Sequence, residues 1–224
     1  MNRFFVDSLA DERITLPSNV AHQVRRVLRL DDGERIVLLS GGNEAVCRLE
    51  GDGCIVEERR PSLGEAQHRL TVCQALLKGD HLEQVVQQGT EIGVARFRLL
   101  VSARCVARGV SAHKLARLRA IARESAEQSE RGIVPEVHAP VPLAEVLEAG
   151  SVLLYERHGG ERLSAIEPPQ SVIIGPEGGF NAEEVAAAKR AGVQLAGLGP
   201  RILRSRSVAG AAAAVILSRT GDFA

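Results

Sequence analysis

A chain of 224 residues, 45% hydrophobic and 25% charged, carries enough apolar side chain for an ordinary buried core, which excludes a disordered polyelectrolyte and sets the expectation of two domains. Twenty-eight Lys and Arg balance 28 Asp and Glu, so any affinity for a polyanion must come from how the cations are distributed. No apolar run approaches the roughly 20 residues that span a bilayer, the start shows no signal-type apolar core, and neither the 4 cysteines nor the 6 histidines have zinc-site spacing. The expectation is a cytoplasmic protein with reduced, buried thiols, no membrane segment and no metal.

In chain order, residues 1–68 read as a small β-rich domain. Strands are expected at 35–39, 45–49 and 54–58, separated by Gly41-Gly42-Asn43 and Gly51-Asp52-Gly53. Ser18 is placed to cap a helix running to about Arg29, with Val20, Val24, Val27 and Leu28 on a packed side and Arg25, Arg26 and Arg29 on a cationic one. The stretch 60–65 breaks both periodicities and reads as a linker. From residue 69 to 224 strand and helix alternate, the pattern of an α/β layer around a mostly parallel sheet. Strands are expected at 69–76, 96–101, 134–137, 151–155, 171–174 and 193–198. Helices are expected from Asp80 to near Gly93, from Ser111 past Ala122, from Asn181 to about Ala191, and across 207–218.

Two loops follow strand ends, and ligands of α/β sheets bind outside the carboxyl ends of strands. In Gly175-Pro176-Glu177-Gly178-Gly179 the glycines let backbone approach a ligand, although a plain tight turn would use them equally. There is no Gly-Lys-Ser/Thr ending and no G-x-G-x-x-G spacing, so a nucleotide triphosphate is poorly supported. The second loop, Leu198-Gly199-Pro200-Arg201-Ile202-Leu203-Arg204, sets apolar side chains beside guanidinium groups, a mixture suited to a flat heteroaromatic ring next to an anion. At 124–131, Glu127 and Arg131 are spaced to share a helix face, which an intrahelical ion pair explains as well as a site does.

Taken together, these segments resemble the bacterial 16S ribosomal RNA (uracil-N3)-methyltransferase family of the SPOUT class, over essentially the whole chain. The resemblance rests on Arg3-Phe4-Phe5, His22 to Arg29, Lys78-Gly79-Asp80, Thr90 to Val94, and Ser102 to Cys105. It rests further on Glu127-Gln128-Ser129 with Arg131 and Pro135, Ile174 to Phe180, and Leu198 to Arg204. It implies a PUA-like β-barrel RNA-binding domain at 1–68, followed at 69–224 by a SPOUT domain with a C-terminal deep trefoil knot that forms a homodimer.

The resemblance also implies S-adenosyl-L-methionine held by Leu154, Gly175, Glu177, Gly178, Gly179, Leu198, Gly199, Ile202 and Leu203. The partner is 16S ribosomal RNA of the small subunit. Arg204 is the expected electrostatic catalyst, Ser205 or Ser207 would orient the base, and Arg131 would reach in from the partner subunit. Phosphate contacts are expected from Arg3, Arg25, Arg26, Arg29 and Arg104. The general base stays open between Glu127 and Glu177.

The chain departs from the family pattern twice. Ser205-Arg206-Ser207 stands where Thr-Glu-Thr is usual, and Gln88 stands where a lysine is usual. Action on another rRNA or tRNA position, or a non-catalytic RNA-binding or assembly role, are the alternative readings.

Overall fold

In the computed structural model, which describes residues 1–156 and 161–223, the chain forms two compact units. The first is Met1–Glu65 with Ala126–Val134, and the second is Ala66–Ser125 with Pro135–Ala224.

The first unit is built on a five-stranded sheet in the order β1-β3-β4-β5-β2. Its strands are β1 (Arg3–Phe5), β2 (Arg13–Thr15), β3 (Arg35–Ser40), β4 (Asn43–Glu50) and β5 (Gly53–Pro61). β1 lies parallel to β3, and the other pairings are antiparallel. The β3–β4 hairpin closes on Gly41 and Gly42 at φ 57° and 82°, the doubly positive turn whose twist matches the strands it joins.

β3 is buried on both faces. Ile36 and Leu38 join a cluster with Phe4, Ile14, Val20, Val24 and Leu49, while Val37 and Leu39 pack with Phe5 and Ala126. The returning segment Ala126–Val134 therefore covers the second face, and Phe5 donates its amide to Glu127 Oε1 at 3.1 Å. The stretch 60–65, expected as a linker, packs within this unit: a Cβ on Gly64 would stand 2.4 Å from the Glu130 carbonyl oxygen.

The expected helix after Ser18 is shorter and changes pitch. Helix α1 (Ser18–His22) runs into a π turn at Gln23–Val27, where the Leu28 amide donates to the Gln23 carbonyl at 2.9 Å. The wide turn rotates the following residues, so Val20 and Val24 are buried while Val27 and Leu28, expected on the packed side, are exposed. Ser18 does not cap; Pro17 stands at the N-cap without a side-chain bond.

The second unit carries a six-stranded, all-parallel sheet in the order β11-β9-β10-β6-β7-β8. The strands are β6 (Thr71–Ala75), β7 (Arg96–Val101), β8 (Glu136–Pro142), β9 (Ser151–Leu154), β10 (Ser171–Ile174) and β11 (Gln194–Ala196). β8 begins two residues later than expected because Val134 still belongs to the first unit.

Helix α2 (His81–Ile92) ends at Gly93, left-handed at φ 111°. Helix α3 (Ala112–Gln128) follows Ser111, whose Oγ accepts the Lys114 amide. Helix α4 (Ala182–Arg190) has a full capping box between Asn181 and Glu184, and helix α5 (Ser205–Ser218) starts two residues earlier than its pattern indicates. Small side chains let α5 approach α2: Ala209, Ala212 and Ala213 are buried, and a Cβ on Gly210 would lie 3.5 Å from Ile92.

All four cysteines are buried and free, and burial pushes the Cys73 thiol up to about 12.

Candidate active site

The carboxyl ends of β9, β10 and β11 open into a cleft of about 460 Å³, within the range of small-molecule sites. Three segments line it: Leu154-Tyr155-Glu156 at the end of β9, Ile174 to Phe180 at the end of β10, and Gly197 to Arg206 from the end of β11 into α5. His81, the first residue of α2, and Val208 complete the lining.

The β10 loop folds back on itself, with the Gly179 amide donating to the Pro176 carbonyl at 2.9 Å and Gly179 left-handed at φ 66°. Gly175 is tight for another reason: a Cβ there would press within 3.2 Å of the Phe180 ring, which is buried under the loop. Arg104, from the segment after β7, donates to the carbonyls of Gly178 at 2.9 Å and Phe180 at 3.4 Å, and so braces the loop from outside. The β11 loop offers its apolar side chains outward. Ile202 is 80% exposed and so is no part of the buried core.

Ser205 ties the two loops together. Its hydroxyl donates to the Gly175 carbonyl at 2.5 Å and accepts from Gln74 Nε2 at 3.3 Å, so the one hydrogen of this buried side chain is committed to backbone. Glu177 accepts the Lys78 amide at 3.0 Å and faces His81. Burial would raise the Glu177 carboxyl, but the Lys78 amide, its own amide and His81 outweigh it and hold the carboxyl below the usual range.

A family model described as the RNA methyltransferase domain matches residues 64–217. Ribosomal RNA small subunit methyltransferase E of Mycobacterium tuberculosis is 33% identical over 240 residues, which cover 97% of this chain and 90% of that protein. The chain belongs to the ribosomal RNA small subunit methyltransferase E family. The Bacillus subtilis member is 30% identical, covering 92% of each chain. The crystal structure of the Neisseria gonorrhoeae member, bound to S-adenosyl methionine, superposes with a TM-score of 0.91 at 28% identity, over 100% of both chains.

Of the residues that the family resemblance marks for the cofactor, Leu154, Gly175, Glu177, Gly179, Leu198, Gly199, Ile202 and Leu203 all line the cleft. Gly178 is in the same loop with its carbonyl turned to Arg104. Arg204 lines the cleft and is exposed, and Ser207 is exposed on the first turn of α5.

Other expected residues are engaged elsewhere. Arg131 lies in the first unit, past the end of α3, 2% exposed and paired with Glu65 at 2.9 Å. The guanidinium expected to reach a partner's site is thus buried against its own chain. Arg3 is paired with Glu44 and with Glu130 at 2.8 Å, its side chain 11% exposed. Arg25 clips its own segment, donating to the Leu30 and Gly51 carbonyls and to Asp32. A phosphate contact from Arg3 or Arg25 would compete with these bonds. Arg26 and Arg29 are exposed, Arg29 at φ 57° where the helical segment ends.

Arg206, which stands where the family pattern has an acid, lines the cleft as well; His81, Tyr155 and Glu156 also line it, and none of these three is expected there from the sequence. Tyr155 and Glu156 directly follow Leu154, so the strand-end rule, applied to β9 as well as to β10 and β11, would find them. His81 carries only the weak signal of following Lys78-Gly79-Asp80.

Proposed function

We propose that this protein methylates N3 of a specific uridine in 16S ribosomal RNA of the small subunit, taking the methyl group from S-adenosyl-L-methionine. The observation that carries this reading is the cleft at the ends of β9, β10 and β11, which gathers glycine backbone, exposed Ile202 and Leu203, and Arg204 in one place. The lining suits such a cofactor: apolar side chains for an adenine ring, backbone amides and carbonyls for a ribose, and the carboxylates of Glu156 and Glu177 for its cationic end. The likeness to relatives that carry the small-subunit rRNA name, one of them crystallised with the cofactor, points the same way.

Bound there, the cofactor supplies a methyl group on a sulfonium, and the protein's task is alignment and charge. Leu154, Leu198, Ile202 and Leu203 grip the flat apolar part while the Gly175–Gly179 loop holds the polar part by backbone. Uridine N3 is a poor nucleophile until its proton leaves, and leaving throws negative charge onto O2 and O4. Arg204 stands in the cleft to stabilise that charge. Ser205 acts through Gly175, fixing the loop, and the exposed Ser207 is the hydroxyl left to meet the base.

The first unit is read as a PUA-like barrel that meets RNA phosphates with Arg26 and Arg29, and the second as a SPOUT domain with a trefoil knot, working as a cytoplasmic homodimer without metal. No described helix is long and apolar enough to cross a membrane, and the described residues contain no cluster of His, Cys, Asp and Glu fit for a metal.

The test is incubation with labelled S-adenosylmethionine and small ribosomal subunits from a methylation-deficient strain, then mass mapping of the product. N3-methyluridine at a single 16S position is expected; a different methylated nucleoside overturns the assigned target, and transfer to nothing overturns the activity.

A further inference from the structure

We infer that His81 is the proton acceptor for the target uridine, oriented by Glu177 and kept ready by Arg206. This deepens the methyltransferase reading and rests on it.

The three side chains form a short chain along one wall of the cleft. Arg206 Nη1 lies 3.2 Å from His81 Nε2, His81 Nδ1 lies 3.6 Å from Glu177 Oε1, and that same oxygen accepts the Lys78 amide at 3.0 Å. A guanidinium has donors and no acceptor, so the ring nitrogen facing it must present a lone pair. The proton of the neutral imidazole then sits on Nδ1, directed at a carboxylate that its surroundings keep ionised. Carboxylate behind, lone pair in front: this is the arrangement of an oriented general base. Arg206 meets the lone pair as a donor, the same part that the N3–H of a uridine plays once the RNA's phosphate charge draws the guanidinium aside.

The other titratable groups fit the role less well. Glu177 is held ionised by its hydrogen bonds and is a weak acceptor, and Glu127 lies in the first unit, where it accepts the Phe5 amide. Glu156 and Tyr155 also line the cleft, so Glu156 is the rival to be tested. The charged groups around the imidazole are Arg206 from α5, Glu177 from the β10 loop, and Lys78, Asp80 and Glu83 along its own segment, with Lys114 of α3 reaching the Gly79 carbonyl.

In the step itself the N3 proton passes to His81 Nε2 and the N3 electron pair forms the bond to the methyl carbon. The carbon–sulfur bond breaks with its electrons kept by sulfur, and the imidazolium returns its proton to solvent. No oxidant or reductant is needed. Arg206, in the place of the family's usual acid, thus acts as the group that presets the tautomer.

Two measurements test this. Nitrogen-15 NMR of histidine in the RNA-free protein is expected to show His81 neutral with its proton on Nδ1, and a proton on Nε2 overturns the proposal. Methyl-transfer rates against pH, on wild type, H81Q and E156Q, give the second. Glutamine keeps a donor group and an acceptor but cannot take a proton, so at saturating cofactor H81Q is expected to lose roughly 100-fold or more in kcat and the acid limb of the profile. Wild-type rate or an unchanged acid limb in H81Q, or loss of that limb in E156Q alone, overturns it. If the wild type transfers no methyl group at all, the methyltransferase reading fails instead, and the NMR result still decides the His81 geometry.

Discussion

Two arginines, both prominent in the sequence, end in opposite situations. Arg131 is 2% exposed with Glu65 at 2.9 Å, whereas Arg204 is exposed in the cleft at the N-cap of α5. The family resemblance marks them alike; only their surroundings in the fold separate a buried, paired cation from an exposed one in the cleft. R204A is accordingly expected to fold normally and bind cofactor while losing roughly 100-fold in turnover, the usual cost of removing one preorganised donor to developing charge, measured as kcat on small subunits. Unchanged turnover would remove Arg204 from the mechanism.

Glu44 carries a second residue-scale prediction. It is 5% exposed between Arg3 and Arg60. Burial alone would raise its carboxyl, but the hydrogen bonds from Arg60 and Arg3 win and lower it. A carboxyl lowered in the folded state adds stability above its unfolded pKa, and that stability is lost as pH falls through the folded value. In urea titrations at acid pH, E44Q should therefore show a flatter loss of stability with falling pH than the wild type, and equal slopes would show that the network contributes nothing to acid sensitivity.

Among the elements, the legible ones have strong local signals. β7 at Arg96–Val101 and β10 at Ser171–Ile174 match the bounds read from the sequence, and α4 has the capping box that Asn181 and Glu184 announce. β1 and β2 are not legible because three residues show no period, and because what makes β1 a strand is its partner, with Arg3 opposite Val37 and Phe5 opposite Leu39. The π turn after α1 is equally hidden, since a one-residue widening leaves no mark on composition, yet it decides that Val27 and Leu28 face solvent.

Close approach within the second unit is testable at Gly89 of α2, where a Cβ would fall 2.7 Å from the Phe97 ring. A branched side chain there must displace a buried aromatic, and overpacking of that kind costs roughly 1–3 kcal/mol. G89V should lower the urea midpoint, and F97L in the same background should restore part of the stability, with a double-mutant cycle as the measure.

For the whole molecule, zero net charge leaves RNA affinity to local clusters. Arg3 and Arg25 hold their own chain, so of the four first-unit arginines expected to meet phosphate the exposed ones are Arg26 and Arg29. R26A combined with R29A should weaken RNA association and lower the slope of log affinity against log salt by about 2, roughly one for each phosphate no longer neutralised. Cofactor affinity, read by calorimetry, should not change, and an unchanged salt slope would move the RNA surface elsewhere.

The α/β alternation of the second unit and its strand-end loops follow from local sequence, because strand periodicity, glycine turns and helix caps are written within a few residues of where they act, while the choice of cofactor residues within those loops rests on the family resemblance. Long-range folding decides the rest: that Ala126–Val134 returns to the first unit, that Arg131, Arg3 and Ser205 are committed to internal partners, and that His81 meets Arg206 across 125 positions of chain. Which charges are paired internally and which face solvent depends on meetings between distant segments, and no local pattern encodes a partner that only folding brings near.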